Sequence, residues 1–335
     1  MTIKAFIIRI LRQFMRDKRT LALMILAPIL VLTMLWAVFN GKDYKPKIGY
    51  VEQTAQQMVP IKLGSSFHHY KNESSARKAL KESKIDGYLT IGPSPSLVLE
   101  GSDPNVNKAV IQKVQSLFQS KQSLIEVEYL HGNKDMKSFD YFGPVLLGFF
   151  VFFFVFLISG VSFLRERTSG TLERLMASPI KVSHMVFGYV IGFGIFTIIQ
   201  SALITSYAVY ILKLMMVGSF LTSLLVILLL SLTALTLGML LSAFARTELQ
   251  MMQFIPIVVV PQIFFSGLFN LDTIPDWLSW IGPITPLYYA ADALRDIMIR
   301  GAHFQDTLFD ILMLLAFSAF FILINIAALK KYRKI

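Results

Sequence analysis

The sequence predicts an α-helical polytopic membrane protein of about six transmembrane helices, with a small α/β extracytoplasmic domain between the first and second spans. Three observations predict it. Only 16% of residues are charged while 55% are hydrophobic, against about 25% charged in a typical soluble domain. Six apolar runs are long enough to cross a hydrocarbon core, which takes about 20 helical residues. Basic residues also gather on one side of those runs, the asymmetry that fixes membrane orientation. The 28 phenylalanines suit lipid-facing surface.

Residues 2–16 open the chain as an amphipathic helix. Ile3, Phe6, Ile7, Ile10, Leu11 and Phe14 recur at helical spacing, and Lys4, Arg9, Arg12 and Arg16 sit largely off that stripe. Such a helix lies in the headgroup plane with its cations toward anionic lipid. It is either a topology signal or an elbow helix, with residues 1–20 as its cytoplasmic segment. The first span is 21–39. Its apolar run is too long for a signal peptide, and no small-x-small cleavage site follows, so an uncleaved anchor is expected.

Residues 40–141 form the extracytoplasmic domain. Strands are expected at 47–51, 85–91 and 96–99. A helix capped by Ser74 is expected over 74–83, and a long helix over 104–129 leads back to the membrane. His68 and His69 are adjacent, so they point apart on a strand and do not share a metal; surface histidines are expected. The remaining 142–335 holds five more spans, at 142–164, 186–212, 219–244, 252–271 and 308–329.

The charges orient these spans. Lys4 to Arg19, Arg165 to Lys181, Arg246 and Lys330 to Lys334 all fall on one side, and the positive-inside rule makes that side cytoplasmic. Both termini are therefore expected inside. The other side carries Asp272, Asp276, Asp292, Asp296, Asp306 and Asp310 against Arg295 and Arg300. The net charge of +11 thus has a membrane explanation, and no basic-aromatic stripe points to nucleic acid.

Much chemistry is excluded. With no cysteine there are no disulfides, thiolate metal sites or Cys nucleophiles. No catalytic constellation is present, and no G-x-x-x-x-G-K-[ST], so any ATP is bound by another polypeptide. No span has an Asp, Glu, Lys or Arg near its middle, which argues against an ion-coupled pump. Asn325 is the most polar group deep in the sixth span. In the third span, Gly188 and Gly192, with Gly194 nearby, allow close helix packing. Gln200, Ser201, Thr205 and Ser206 either glue helices together or line a polar cavity.

The cytoplasmic segment 165–180 is the most informative. Ser169 or Thr171 is placed to cap a short helix, Gly170 permits a sharp turn and Pro179 ends it. Leu172, Leu175 and Met176 make a small apolar face flanked by Glu173 and Arg174, a pattern suited to docking in a partner's groove. The segment resembles the coupling-helix signature of ABC-2 type permeases, roughly E-R-x-x-G-T-L-E-x-L-x-x-S-P. Glu166, Arg167, Gly170, Thr171, Leu172, Glu173, Leu175, Ser178 and Pro179 match it. A second stretch, with Ser266, Gly267, Pro275, Trp277, Leu278, Pro283, Pro286, Tyr289, Asp292, Arg295 and Gly301, resembles the family's re-entrant segment. The resemblance covers essentially the whole chain.

The resemblance implies an ABC exporter permease, a transport subunit with no cofactor of its own. It would pair with a second copy or a paralogue and recruit a cytoplasmic ATP-binding subunit holding ATP and Mg. The short helix would sit in a groove of that subunit, and ATP-driven closure would move the first, second and fifth spans. Residues 272–303 would dip in from outside as a gate; Pro275, Pro283 and Pro286 do break any continuous span there. An amphipathic loop resting on the outer surface is the alternative. The expected substrate is hydrophobic or amphipathic, a drug, antibiotic, peptide or lipid-like molecule, exported across a bacterial cell membrane. A receptor or anchor with an outer sensing domain leaves the 170–179 helix unexplained, and an ion-coupled secondary transporter lacks intramembrane charges.

Overall fold

The computed structural model describes residues 3–39, 46–52, 67–82, 84–91, 96–100, 104–119, 136–268, 278 and 280–333. The chain divides into two compact units, Gly41–Glu128 and a membrane unit of Met1–Asn40 with Tyr129–Ile335. Among the described residues, six helices are long and apolar enough to cross a membrane.

The membrane unit begins with α1 (Ile3–Arg16) and α2 (Lys18–Phe39). Then come α5 (Ser138–Thr168), the short α6 (Thr171–Met176), α7 (Val182–Ser206) and α8 (Phe220–Ser242). The fifth span, α9, covers Glu248–Leu268; α10 (Pro286–Met298) and α11 (Leu308–Arg333) complete it. Helices α5, α7 and α8 are mostly buried, whereas only a minority of the residues of α2, α9 and α11 are. The exposed stripe on α2, Leu23, Leu26, Leu30 and Met34, is as apolar as a core, as lipid requires.

Small residues set how closely the central helices approach. Gly160 on α5 and Gly238 on α8 face each other: a Cβ at Gly160 would lie 3.2 Å from the Gly238 carbonyl oxygen. Hydroxyls then join α8 to its neighbours. Ser201 and Ser231 are 2.7 Å apart between α7 and α8. Thr233 and Ser318 are 2.7 Å apart between α8 and α11. Asn325 donates to the Thr236 carbonyl at 2.9 Å. Ser201 is helix–helix glue, while Gln200, one residue before it, is buried with neither amide atom bonded.

Helix α9 is the least regular span. It contains two π-helical stretches, Ile255–Val259 and Phe264–Leu268, around Pro256 and Pro261. Proline has no N–H to give the ladder and its ring crowds the carbonyl four residues back, which a wider turn relieves.

The second unit contains a four-stranded sheet of order β2-β1-β3-β4, from β1 (Ile48–Glu52), β2 (Phe67–His69), β3 (Gly87–Ile91) and β4 (Ser96–Leu99). Strand β1 runs parallel to β2 and β3, and β4 is antiparallel to β3. Alternation puts Tyr88 against Ala76 and Leu80 of α3 (Glu73–Lys81). The next residue, Leu89, packs with Val110 and Val114 of α4 (Pro104–Gln119). Ser74 is not the cap of α3: Asn72 is, accepting from the Ser75 N–H at 3.0 Å. His68 and His69 are exposed on edge strand β2. The end of the helix expected over 104–129 lies outside the described residues.

Candidate functional site

The end of the membrane unit that carries the basic residues is organised by three consecutive side chains at the close of α5. Glu166 is 3% exposed and accepts from Arg9 of α1 at 2.8 Å and from the Tyr189 hydroxyl of α7 at 2.9 Å. Arg167 donates to the carbonyls of Ser242 and Ala245 at the close of α8, where unpaired carbonyls favour a cation. Arg165 makes a two-pronged pair with Glu248, which opens α9, at 2.6 and 3.3 Å, and lies 3.6 Å from Asp17 between α1 and α2.

Around Glu166 the packing is aromatic. The Tyr189 ring meets Phe6 and Phe163 edge-on, at 4.8 and 4.9 Å, a favoured geometry. The Arg9 guanidinium lies 5.1 Å from the Phe6 ring centroid. Burial by itself lowers the Arg9 pKa, but the hydrogen bond and charge of Glu166 reverse it, and the net shift is upward.

Helix α1 reaches this cluster by lying in a groove on α7. Phe6 covers Gly188, and a Cβ at Gly192 would stand 2.9 Å from Ile10 Cδ1. Phe6 and Ile10 are therefore buried in protein, so this part of the stripe faces α7 and not the headgroup plane. Gly194, which the sequence groups with them, has open space beside it.

Beyond α5 the chain turns at Gly170, φ 71°, and enters α6. No side chain caps α6; Gly170 itself is the N-cap, and the Ser169 and Thr171 hydroxyls bond each other at 2.9 Å. Leu172 is buried, and Leu175 and Met176 pack against the same core. The apolar face read as docking anchors is thus turned into the chain. What α6 presents outward is Glu173, Arg174, Ala177 and Pro179, with Arg174 folded back onto the Ser169 and Gly170 carbonyls. Ser178 is half-buried and bonds the Leu175 carbonyl at 2.5 Å.

At the opposite end α10 is wedged against α5, α8 and α11. Leu287, Ala290, Ala291, Ala293, Leu294 and Ile297 are fully buried. Its 13 residues reach only about 20 Å, too short to cross a bilayer. Pro286 is buried in its first turn, and the Tyr289 hydroxyl donates to the Pro283 carbonyl at 2.9 Å. Asp292 is exposed; Arg295 donates to the Gly267 carbonyl. Pro275 and Trp277 lie outside the described residues.

Residues 18–327 match the family described as ABC-2 family transporter protein. The chain belongs to the ABC-2 transporter family. ABC transporter G family member 20 of Dictyostelium discoideum is 24% identical over 96% of this chain and 50% of its own length. The "Probable multidrug ABC transporter permease YbhR" of Escherichia coli (strain K12) is 21% identical over 65% of this chain and 62% of its own. The "Linearmycin resistance permease protein LnrN" of Bacillus subtilis (strain 168) is 21% identical over 92% of this chain and 94% of its own. The ABC-2 chain thus spans half of the Dictyostelium protein and under two thirds of YbhR.

Of the nine residues of the coupling signature, Glu166, Arg167 and Leu172 point inward and root the turn, Glu173 and Pro179 face outward, and Gly170, Thr171, Leu175 and Ser178 are half-buried between them. Sequence reasoning missed Arg9, Tyr189, Arg165 and Glu248 as a set. Arg9 lay between Phe6 and Ile10, flanking the apolar stripe, and that was the available signal.

Proposed function

We propose that this chain is the membrane-spanning permease of an ATP-driven exporter, with α6 as the element that receives force from a separate ATP-binding subunit. The observation that carries the proposal is the rooting of α6. Its turn is continuous with Arg165, Glu166 and Arg167, and those three contact α1, α7, α8 and α9. A push on the exposed Glu173 rim therefore reaches most of the bundle. No P-loop occurs in residues 1–335, so nucleotide and Mg are held outside them. The positive-inside rule makes the basic end cytoplasmic, with both ends of this chain there; the bacterial permeases among the relatives support a bacterial plasma membrane. The exposed apolar faces of α2 and α9 suit a second permease copy or a paralogue and a path for a hydrophobic or amphipathic substrate. The relatives named for multidrug export and linearmycin resistance support that substrate class.

The test is affinity purification from the native membrane with mass spectrometry of what accompanies the chain. A stoichiometric P-loop ATPase is the expected companion. Its absence under mild extraction, together with failure of candidate ATPases to bind on co-expression, would refute the proposal.

A further inference from the structure

We propose that Arg295 is a positioning residue that latches the far end of α9 to α10 and to the start of α5. The inference goes beyond the export reading and stands without an ATPase. It begins with Gly267, which leaves the helix at φ 77°. That left-handed turn, open to glycine at little cost, aims its carbonyl at Arg295, whose Nη2 donates to it. A Cβ at Gly267 would stand 2.9 Å from Arg295 Nη1. The same guanidinium lies 5.4 Å from the ring centroid of Tyr141, in the first turn of α5. One side chain therefore touches the two elements on either side of α10.

The two sides of the latch differ in firmness. Helix α10 is fixed independently, because Val217 and Gly218 donate backbone bonds to the Met298 and Ile297 carbonyls at 2.9 and 3.0 Å. Helix α9 is less regular: it is interrupted by two π stretches and two prolines, and only a minority of its residues are buried. Yet its last turn is covered, with Ser266 only 2% exposed. Among the described residues no carboxylate makes an ion pair with Arg295; the neighbouring Asp296 is taken by Arg300. A cation held by a neutral carbonyl and a ring face, and not by a carboxylate, can let go and re-form without stranding a buried counter-charge. Helix α9 is accordingly the mobile partner, and Arg295 decides whether its far end is closed.

The chain has no cysteine, so one engineered cysteine reports alone. The reporter is Ser266→Cys in nanodiscs, with the rate of labelling by a polar maleimide as the readout. With Arg295 present the thiol stays protected. Arg295→Met raises the rate at least tenfold, Arg295→Lys, which keeps one donor and the charge, restores most of the protection, and Gly267→Ala raises the rate by crowding the guanidinium while residue 295 stays arginine. Ser231→Cys, at a 1% exposed site on α8, stays unreactive in every background. Rates at Ser266→Cys unchanged within twofold in both Arg295→Met and Gly267→Ala overturn the proposal. So does a parallel rise at Ser231→Cys, which makes Arg295 a residue of the fold at large.

Discussion

Replacing Glu166 by alanine removes the acceptor shared by Arg9 and Tyr189 and leaves both donors in the protein. The carboxylate is 3% exposed and the Arg9 side chain 27%, so the pair is largely, but not wholly, out of water. Breaking a buried pair by deleting one partner costs about 3–5 kcal/mol. Arg9 already has a buried Nε without a partner, yet its partial exposure allows some rehydration, which brings the expected cost to about 2–3 kcal/mol. At about 2–4 °C per kcal/mol for large domains, the melting temperature in detergent falls by about 4–12 °C. Arg9→Ala alone costs a similar amount, because it strands the carboxylate. The double variant costs little more than either single one, giving a coupling energy of about 2 kcal/mol in a double-mutant cycle. The assay is thermal unfolding of the four proteins under one detergent condition. Additivity within about 0.5 kcal/mol would refute the claim that this pair fastens α1 to the close of α5.

Three further outcomes are expected. Gly192→Leu drives a side chain into Ile10 and frees α1 to protease, whereas Gly194→Leu, beside open space, leaves the digestion pattern unchanged; equal effects would show that α1 does not lie in this groove. Glu173→Lys reverses charge on the exposed rim of α6, so membrane insertion and melting temperature hold while recovery of the ATPase partner in a pull-down drops at least tenfold; normal recovery would remove Glu173 from the docking surface. Asn325→Leu deletes the bond from α11 to the Thr236 carbonyl and lowers stability by about 0.6–1.7 kcal/mol, the range of interhelical bonds in lipid, measured by the same thermal assay; a larger loss would mean that Asn325 supports more than this one contact.

The spans were legible because bilayer thickness imposes a length and a hydropathy that few other structures share. The periodicity of α1 was legible for a similar reason, but what it packs against was not. Phe6 and Ile10 are equally suited to lipid and to a groove on α7, and only the position of Gly188 and Gly192 on another helix decides between them. The packing role of those glycines was readable from their spacing; that of Gly160 and Gly238 was not, since each stands alone in its helix and its partner lies 78 residues away. In the coupling segment the pattern of residue types was visible, but a six-residue helix has no fixed outward face until the preceding turn is known. The αL conformation of Gly170 sets that face, and it turned Leu172 inward. The cap of α3 shows the same limit at smaller scale: Asn72 and Ser74 are both good capping residues, and a two-residue shift in the helix start chose the former.

Arg165, Glu166 and Arg167 are consecutive on one helix, so their directions differ by about 100° each and together span a little over half of the circumference. Each is tied to a different neighbour. A tilt of α5 would stretch one tie while slackening another. A twist about the axis would carry all three in the same sense, like teeth of a gear engaging wheels around it. Under the role proposed for α6, this geometry would filter the motion that reaches the bundle: swaying is resisted, and torsion is what the surrounding helices feel.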